Sequence, residues 1–200
     1  RKNKKHIQEL KKNKFDNIDL VIVNFYPFEN ATKKTSNHQK IIENIDIGGP
    51  TMVRAAAKNY NDVTVVTSID QYDELINELN HNDGSTTQKF RQKMSKEAFS
   101  ETAYYDSIIS NYFNKVSNDN FPKKKVFYAN LISKLRYGEN PHQNGAIYSK
   151  SNSLNLSQLN GKQLSYNNLN DVFAALTISK SLQKNTGVVI IKHANPCGIS

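Results

Sequence analysis

The sequence predicts an α/β fold, on three observations. Short apolar runs that read as strands alternate with longer helical stretches as far as residue 116. Breaks rich in glycine, proline and asparagine fall between them. The composition suits a chain that buries a core: 37% of the 200 residues are hydrophobic and 10% aromatic.

Residues 6–12 read as a short polar helix. DLVIVNFYPF, residues 19–28, reads as a buried strand, aliphatic residues followed by aromatics and ended by Pro27. Residues 30–37 read as loop and 39–45 as helix. Gly48-Gly49-Pro50 breaks the chain, and Pro50 suits the first position of a new helix, TMVRAAAKN, with Met52, Val53, Ala56 and Ala57 facing inward. Residues 63–67 form a second buried strand. Residues 69–79 form an amphipathic helix that Ser68 and Asp70 are placed to cap. A long helix runs over 86–116, and its stripe of Phe90, Met94, Phe99, Ala103, Ile108 and Tyr112 reads as core.

Residues 117–122 make a linker rich in Asn and Asp. Beyond it, 126–135 looks extended, 136–143 is an ordered loop and 146–149 a strand. Asn160-Gly161 signals a turn between 154–159 and 163–166. Residues 171–182 read as helix and 187–192 as a strongly apolar strand. The shift in composition sets a boundary near Tyr128, giving domains over 1–128 and 129–200. No internal repeat is visible.

Charge and cysteine content narrow the function classes. The net charge of +9 invites an anionic partner, nucleic acid or phosphate-bearing small molecules. The lysines, however, are scattered among asparagines and isoleucines, dense only over 1–14 and 123–125, which reads as a solvated surface and not as a nucleic-acid stripe. The single cysteine, Cys197, excludes an internal disulfide and fits a reducing, cytoplasmic compartment. No run approaches the roughly 18 apolar residues that span a bilayer, and none reads as a signal peptide. The chain opens on Arg1 and stops at Ser200, soon after a strand-like segment, so a piece of a longer polypeptide is expected.

Several segments carry chemistry-bearing side chains. GVVIIKHANPCG, residues 187–198, delivers Lys192 and His193 to the carboxyl end of a strand, where ligands bind in open α/β sheets, and Asn195-Pro196-Cys197-Gly198 then turns the chain. A lysine beside a histidine supplies a cation and a proton carrier; a surface pair is the plainer reading. Cys197 reads as a small residue in a tight turn, without a neighbour that would activate its thiol. RYGENPHQ, residues 136–143, is an irregular polar loop of the kind in which binding residues concentrate, with Arg136 suited to clamp a phosphate or carboxylate. IDIGGPTMVRAAAKN, residues 45–59, sets Asp46 before a helix start that favours anions, with Lys58 in the last turn, where a cation also suits the helix dipole. NFYPF, residues 24–28, ends a strand with Asn24 and Tyr26. No metal-ligand spacing is seen.

Taken together, NFYPFE, IDIGGPTMVRAAAKN, RYGENPHQ, LSYNN and KHANPCG stand in the order of closely similar motifs in the bifunctional AICAR transformylase/IMP cyclohydrolase family (AICAR, aminoimidazole carboxamide ribotide; IMP, inosine monophosphate). KMSKEAFSETAYYDSIISNYF also resembles that family. The resemblance implies a methylglyoxal-synthase-like parallel-sheet domain, lacking its N-terminal phosphate-binding part, followed by the start of a cytidine-deaminase-like transformylase domain. It implies that Lys58, Tyr26 and Asp46 manage protons in ring closure, with Val23, Asn24 and Ile47 lining the nucleotide. It implies that Arg136, Tyr137 and Asn168 hold AICAR, that His193 accepts the proton in formyl transfer, and that Lys192 stabilises the transition state. The expected cosubstrate is 10-formyltetrahydrofolate, with no metal. The expected partners are AICAR, FAICAR and IMP and a second copy in a homodimer, with neither nucleic acid nor membrane. Two rival readings are a basic nucleic-acid-binding module and a structural remnant with neither activity.

Overall fold

The computed structural model describes residues 3–151, 153–183 and 186–200. The fold is α/β, and the chain divides into two compact units, Arg1–Phe127 and Tyr128–Ser200.

The first unit is organised around a parallel strand pair. β1 (Leu20–Ile22) runs beside β2 (Thr64–Val66) in the register Leu20↔Thr64, Val21↔Val65, Ile22↔Val66. All three residues of β2 are buried. β1 corrects the expectation of a buried strand over 19–28: it is shorter, and Leu20 and Ile22 are 37% and 46% exposed. Val21, Val23 and Phe25 pack against the core instead. The segment thus alternates as a half-covered strand does, with period two.

Pro27 ends the extended segment and caps a helix where loop was expected, α2 (Phe28–Lys34), which follows α1 (Lys4–Lys12) in chain order. Glu29 in its first turn and Lys33 and Lys34 in its last suit the helix dipole. Its anchor is Phe28, 1% exposed, whose ring meets Tyr112 edge-on at 5.6 Å. α3 (His38–Ile42) is capped by the Asn37 side chain.

α4 (Gly48–Lys58) holds Pro50 as its third residue, still in the first turn, where a missing N–H costs no helical bond. Val53, Ala56 and Ala57 are buried, but Met52, expected inward, is 53% exposed. A single 3-10 turn (Ile69–Gln71), opened by Ser68, leads into α5 (Tyr72–His81). α6 (Gln88–Val116) is capped by Thr87. Its buried stripe is Phe90, Met94, Ala98, Thr102, Tyr105 and Ile108. Phe99 and Ala103, expected in the stripe, lie off it, and Phe99 sits beneath the Arg54 guanidinium. The core joins α4, β2, α5 and α6 through Val53, Val65, Val66, Leu75, Phe90 and Met94.

In the second unit β3 (Asn130–Lys134) pairs antiparallel with β4 (Ala146–Ser149). The hairpin expected around Asn160-Gly161 is absent among the described residues. Gly161 does turn, at φ +95°, but the Gln158 amide, bonded to the Asn160 and Lys162 carbonyls, takes the place of a strand ladder. α7 (Tyr166–Ser179) starts five residues before the expected Asp171, because Ser165 and Asn168 form a capping box.

β5 (Val189–Lys192) pairs antiparallel with β6 (Asn195–Ile199). The apolar segment is not buried on both faces: Val188 and Ile190 are 62% and 59% exposed. Nor does Asn195-Pro196-Cys197-Gly198 turn the chain. Those residues lie in β6, and the corner is His193-Ala194, both in the left-handed region at φ +52° and +58°.

Candidate functional sites

In the first unit, the segments that leave the carboxyl ends of β1 and β2 form the wall of a cavity of about 450 Å³. This is where a parallel sheet presents its ligand-binding crevice. Asn24 and Tyr26 line it, with Asn30, Ser68, Asp70 and Glu101. The Asn24 side-chain amide donates to the Tyr72 hydroxyl at 2.9 Å. The ring of Tyr26 is largely exposed, and its backbone N–H donates to Asp46 Oδ2 at 3.3 Å.

Asp46 organises this corner. Its Oδ1 accepts from Gly49 N–H at 2.7 Å, capping α4, and its own N–H donates to the Tyr105 hydroxyl at 2.8 Å. Burial pushes the Tyr105 hydroxyl above its ordinary value. Burial likewise pushes the Glu101 carboxyl upward. Asp46 and Tyr26 are therefore brought together. Val23 donates its N–H to Val66 O and packs on the core, and Ile47 is exposed just before α4. Lys58 stands apart, at the other end of α4, about 14 Å along the axis from Gly49.

Glu101 and Tyr105 were not singled out as site residues. The apolar stripe of α6 does not point to them, and the one signal in the sequence is a carboxylate one turn before Tyr104-Tyr105. Glu29, Asp70 and Glu101 give the cavity three carboxyl groups, and no lysine or arginine lines it. Such a wall offers hydrogen bonds to a heterocycle or ribose; a cation for a phosphate must come from outside this lining.

In the second unit the RYGENPHQ loop is stitched to the start of α7. Arg136 N–H donates to Leu164 O at 3.0 Å, Tyr166 N–H donates to Tyr137 O at 3.1 Å, and the Asn167 amide donates to Glu139 O. Gly138 is required here: a Cβ on it would come within 2.9 Å of the Gln143 Cβ. The Arg136 guanidinium lies over the Tyr137 ring at 4.8 Å and donates to its hydroxyl at 3.2 Å. Hydrogen bonding from Ser165, then from Arg136, holds the Tyr137 hydroxyl below its ordinary value. Asn168 Oδ1 accepts from both Ser165 N–H and Ser165 Oγ–H, so this oxygen is engaged in the helix cap.

Further along α7, the Asp171 carboxylate accepts from Ala194 N–H at 2.7 Å. This bond ties the His193-Ala194 corner to the helix whose first residue, Tyr166, donates to Tyr137 O. Lys192 ends β5 and His193 follows it. From Tyr166 to Asp171 is about 7.5 Å along the axis. Backbone bonds thus tether the Arg136-Tyr137 segment to the start of α7 and the His193-Ala194 corner to its second turn. Cys197 is exposed on β6. No metal-binding cluster of His, Cys, Asp and Glu occurs among the described residues, and no described helix is long and apolar enough to cross a membrane.

Comparison with known proteins matches two family models. Residues 56–200 match the AICARFT/IMPCHase bienzyme model, and residues 1–51 match the MGS-like domain. The bifunctional purine biosynthesis protein PurH of Bradyrhizobium diazoefficiens is 46% identical over all of this chain and 39% of its own length. The PurH of Clostridioides difficile is 46% identical over 97% of the chain, and that of Listeria monocytogenes 43% over 97%. The chain spans about 39% of the length of these curated relatives.

Proposed function

This chain belongs to the AICARFT/IMPCHase bienzyme family, and from that premise we propose that the polypeptide carrying it formylates AICAR with 10-formyltetrahydrofolate and then closes the product, FAICAR, to IMP. Residues 1–128 form part of the cyclohydrolase domain and 129–200 the beginning of the transformylase domain. The protein works in the cytoplasm as a homodimer. Its relatives are named as purine biosynthesis enzymes, which supports a place in the route to IMP.

The observation that supports the reading is that one helix, α7, is bonded both to the Arg136-Tyr137 segment and to the corner that follows Lys192. The AICAR amine is a poor nucleophile, because its lone pair is conjugated with the imidazole and carboxamide. Arg136 and Tyr137 hold the ribotide, with Asn168 beside them. The amine nitrogen bonds to the formyl carbon, and His193 takes the proton it loses. Lys192 meets the negative charge on the formyl oxygen. The tetrahedral adduct then expels the folate nitrogen, which leaves protonated. A base in such a position contributes about 10²–10⁴-fold, and one donor to the oxyanion about 10²–10³-fold.

Ring closure is intramolecular, so positioning does most of the work. The carboxamide nitrogen attacks the new formyl carbon and water leaves. Tyr26, Asp46 and Lys58 manage those protons, while Val23, Asn24 and Ile47 line the nucleotide. Neither step requires a metal.

The test is His193→Ala in the longest native polypeptide containing these residues. The turnover number for formyl transfer is expected to fall by about 10²-fold or more, while AICAR affinity stays close to wild type, because a group needed in the transition state depresses kcat and kcat/KM together. A folded variant that turns over normally removes His193 from the chemistry.

A further inference from the structure

The corner between β5 and β6 includes a residue ill-suited to it, Ala194. Two-residue hairpin turns with both central residues at positive φ favour Asn-Gly or Gly-Gly. Here the pair is His193 at φ +52° and Ala194 at φ +58°. Alanine has no polar side chain with which to offset the left-handed conformation. The local sequence, moreover, offers a better breaker just beyond, in Asn195-Pro196-Cys197-Gly198, yet those residues are held in β6.

Two hydrogen bonds fix the corner where it is. The Asn195 side-chain amide donates to His193 O at 2.8 Å. The partly buried bond from Ala194 N–H to Asp171 Oδ1, at 2.7 Å, reaches across 23 residues from α7. A carboxylate accepting a backbone N–H makes one of the stronger hydrogen bonds available, and it acts on the very peptide that must stay left-handed.

We propose that Asp171 is a positioning residue for formyl transfer: its carboxylate holds the His193-Ala194 corner in the left-handed conformation and so fixes where the His193 imidazole stands relative to Arg136 and Tyr137. The inference rests on the reading of His193 as the proton acceptor. Asp171 does not touch the reacting atoms. Without it the corner relaxes toward ordinary backbone angles, and the imidazole moves with the backbone that carries it.

The test uses Asp171→Ala, Asp171→Asn and the double variant Asp171→Ala/Ala194→Gly in the longest native polypeptide. Because a displacement of about 1 Å costs about 10²-fold in rate, Asp171→Ala is expected to lower kcat by between about 10- and 100-fold with AICAR affinity little changed. Asp171→Asn keeps a carbonyl acceptor and retains most of the rate. Adding Ala194→Gly to the alanine variant restores rate, since glycine adopts positive φ without steric cost. The Cα and Cβ chemical shifts of residue 194 give a readout independent of activity: left-handed in wild type and Asp171→Asn, shifted in Asp171→Ala. If wild type transfers no formyl group, the functional reading fails while the shifts still test the corner. A folded Asp171→Ala protein with wild-type kcat overturns the proposal, as does a double variant with no recovery or an unchanged residue 194 spectrum.

Discussion

Replacing Gly49 with alanine should destabilise the first unit, although helix propensity argues the reverse. In a helix, alanine is worth about 0.5–1 kcal/mol over glycine. At Gly49, however, the new Cβ would lie 2.5 Å from Asp46 Oδ2 and 2.9 Å from its Cγ and Oδ1. The carboxylate must swing away. It then loses the cap to Gly49 N–H at 2.7 Å and the longer contact to Tyr26 N–H at 3.3 Å. Loss of a helix cap costs about 0.5–2 kcal/mol, and bonds to a charged group run to about 1.5–3 kcal/mol, so two of them outweigh the propensity gain. The net expectation is destabilisation by about 1–2 kcal/mol, a fall in melting temperature of about 2–4 °C per kcal/mol at this chain length. Urea unfolding followed by circular dichroism measures it, and a double-mutant cycle isolates the cause. In an Asp46→Ala background the methyl has no carboxylate to displace, so Gly49→Ala should become neutral or stabilising by up to about 1 kcal/mol. A single Gly49→Ala variant as stable as wild type, or more stable, would refute the reasoning.

Arg91 donates to the Tyr60 and Asn61 carbonyls at 2.9 and 3.0 Å and to the Thr86 carbonyl, so Arg91→Ala should cost about 2–3 kcal/mol in urea unfolding; Arg91→Lys should recover less than half, lacking the planar fork. Burial raises the Glu101 carboxyl, so the folded state holds that proton more tightly than the unfolded chain and the group costs stability as pH rises above its unfolded value. Glu101→Gln should therefore raise the melting temperature at neutral pH, with the gain vanishing in acid; an equal gain at all pH values would assign the effect to packing. Lys58→Ala in the longest native polypeptide should abolish ring closure and leave formyl transfer nearly intact, since Lys58 lies in the first unit and Arg136 and His193 in the second; equal loss of both activities in a folded variant would sink its assignment.

The periodicities of the sequence located most elements, but not which of their faces are covered. DLVIV looks the same whether one side or both are packed, and only the structure separates Val21 and Val23 on the core from Leu20 and Ile22 in solvent. α2 is too short to show a helical stripe, although Glu29, Ala31, Lys33 and Lys34 are good helix formers; what fixes it is tertiary, the burial of Phe28 and Ala31 one turn apart. The α6 stripe expected through Phe99 and Ala103 runs one residue earlier. Ala98 and Thr102 are buried where Phe99 and Ala103 are not. The reason lies in α4, whose facing residues Ala56 and Ala57 let the helices come close enough for Ser95 Oγ to donate to Ala57 O at 2.8 Å. A large ring would not fit that approach.

The motif residues were legible as motifs, and their local bonds were not. Asp46 and Asn168 both have side-chain oxygens engaged at helix starts. The corner at His193 was the least legible, because the bond that holds it comes from Asp171, 23 residues earlier. Six described non-glycine residues have positive φ: Lys14, Asp83, Asn118, Asn155, His193 and Ala194. Asp83, Asn118 and Asn155 are of the types that tolerate this region, and Lys14 stands just beyond the C-cap of α1. His193 and Ala194 are the one adjacent pair among them; histidine tolerates the region as asparagine does, but Ala194 has neither a polar side chain nor a helix end to account for the conformation. Strain of this kind persists where the surrounding structure over-determines it and where relaxing it would move a side chain that must stay in place. An asparagine-glycine corner would close the same hairpin more easily, but it would carry no imidazole.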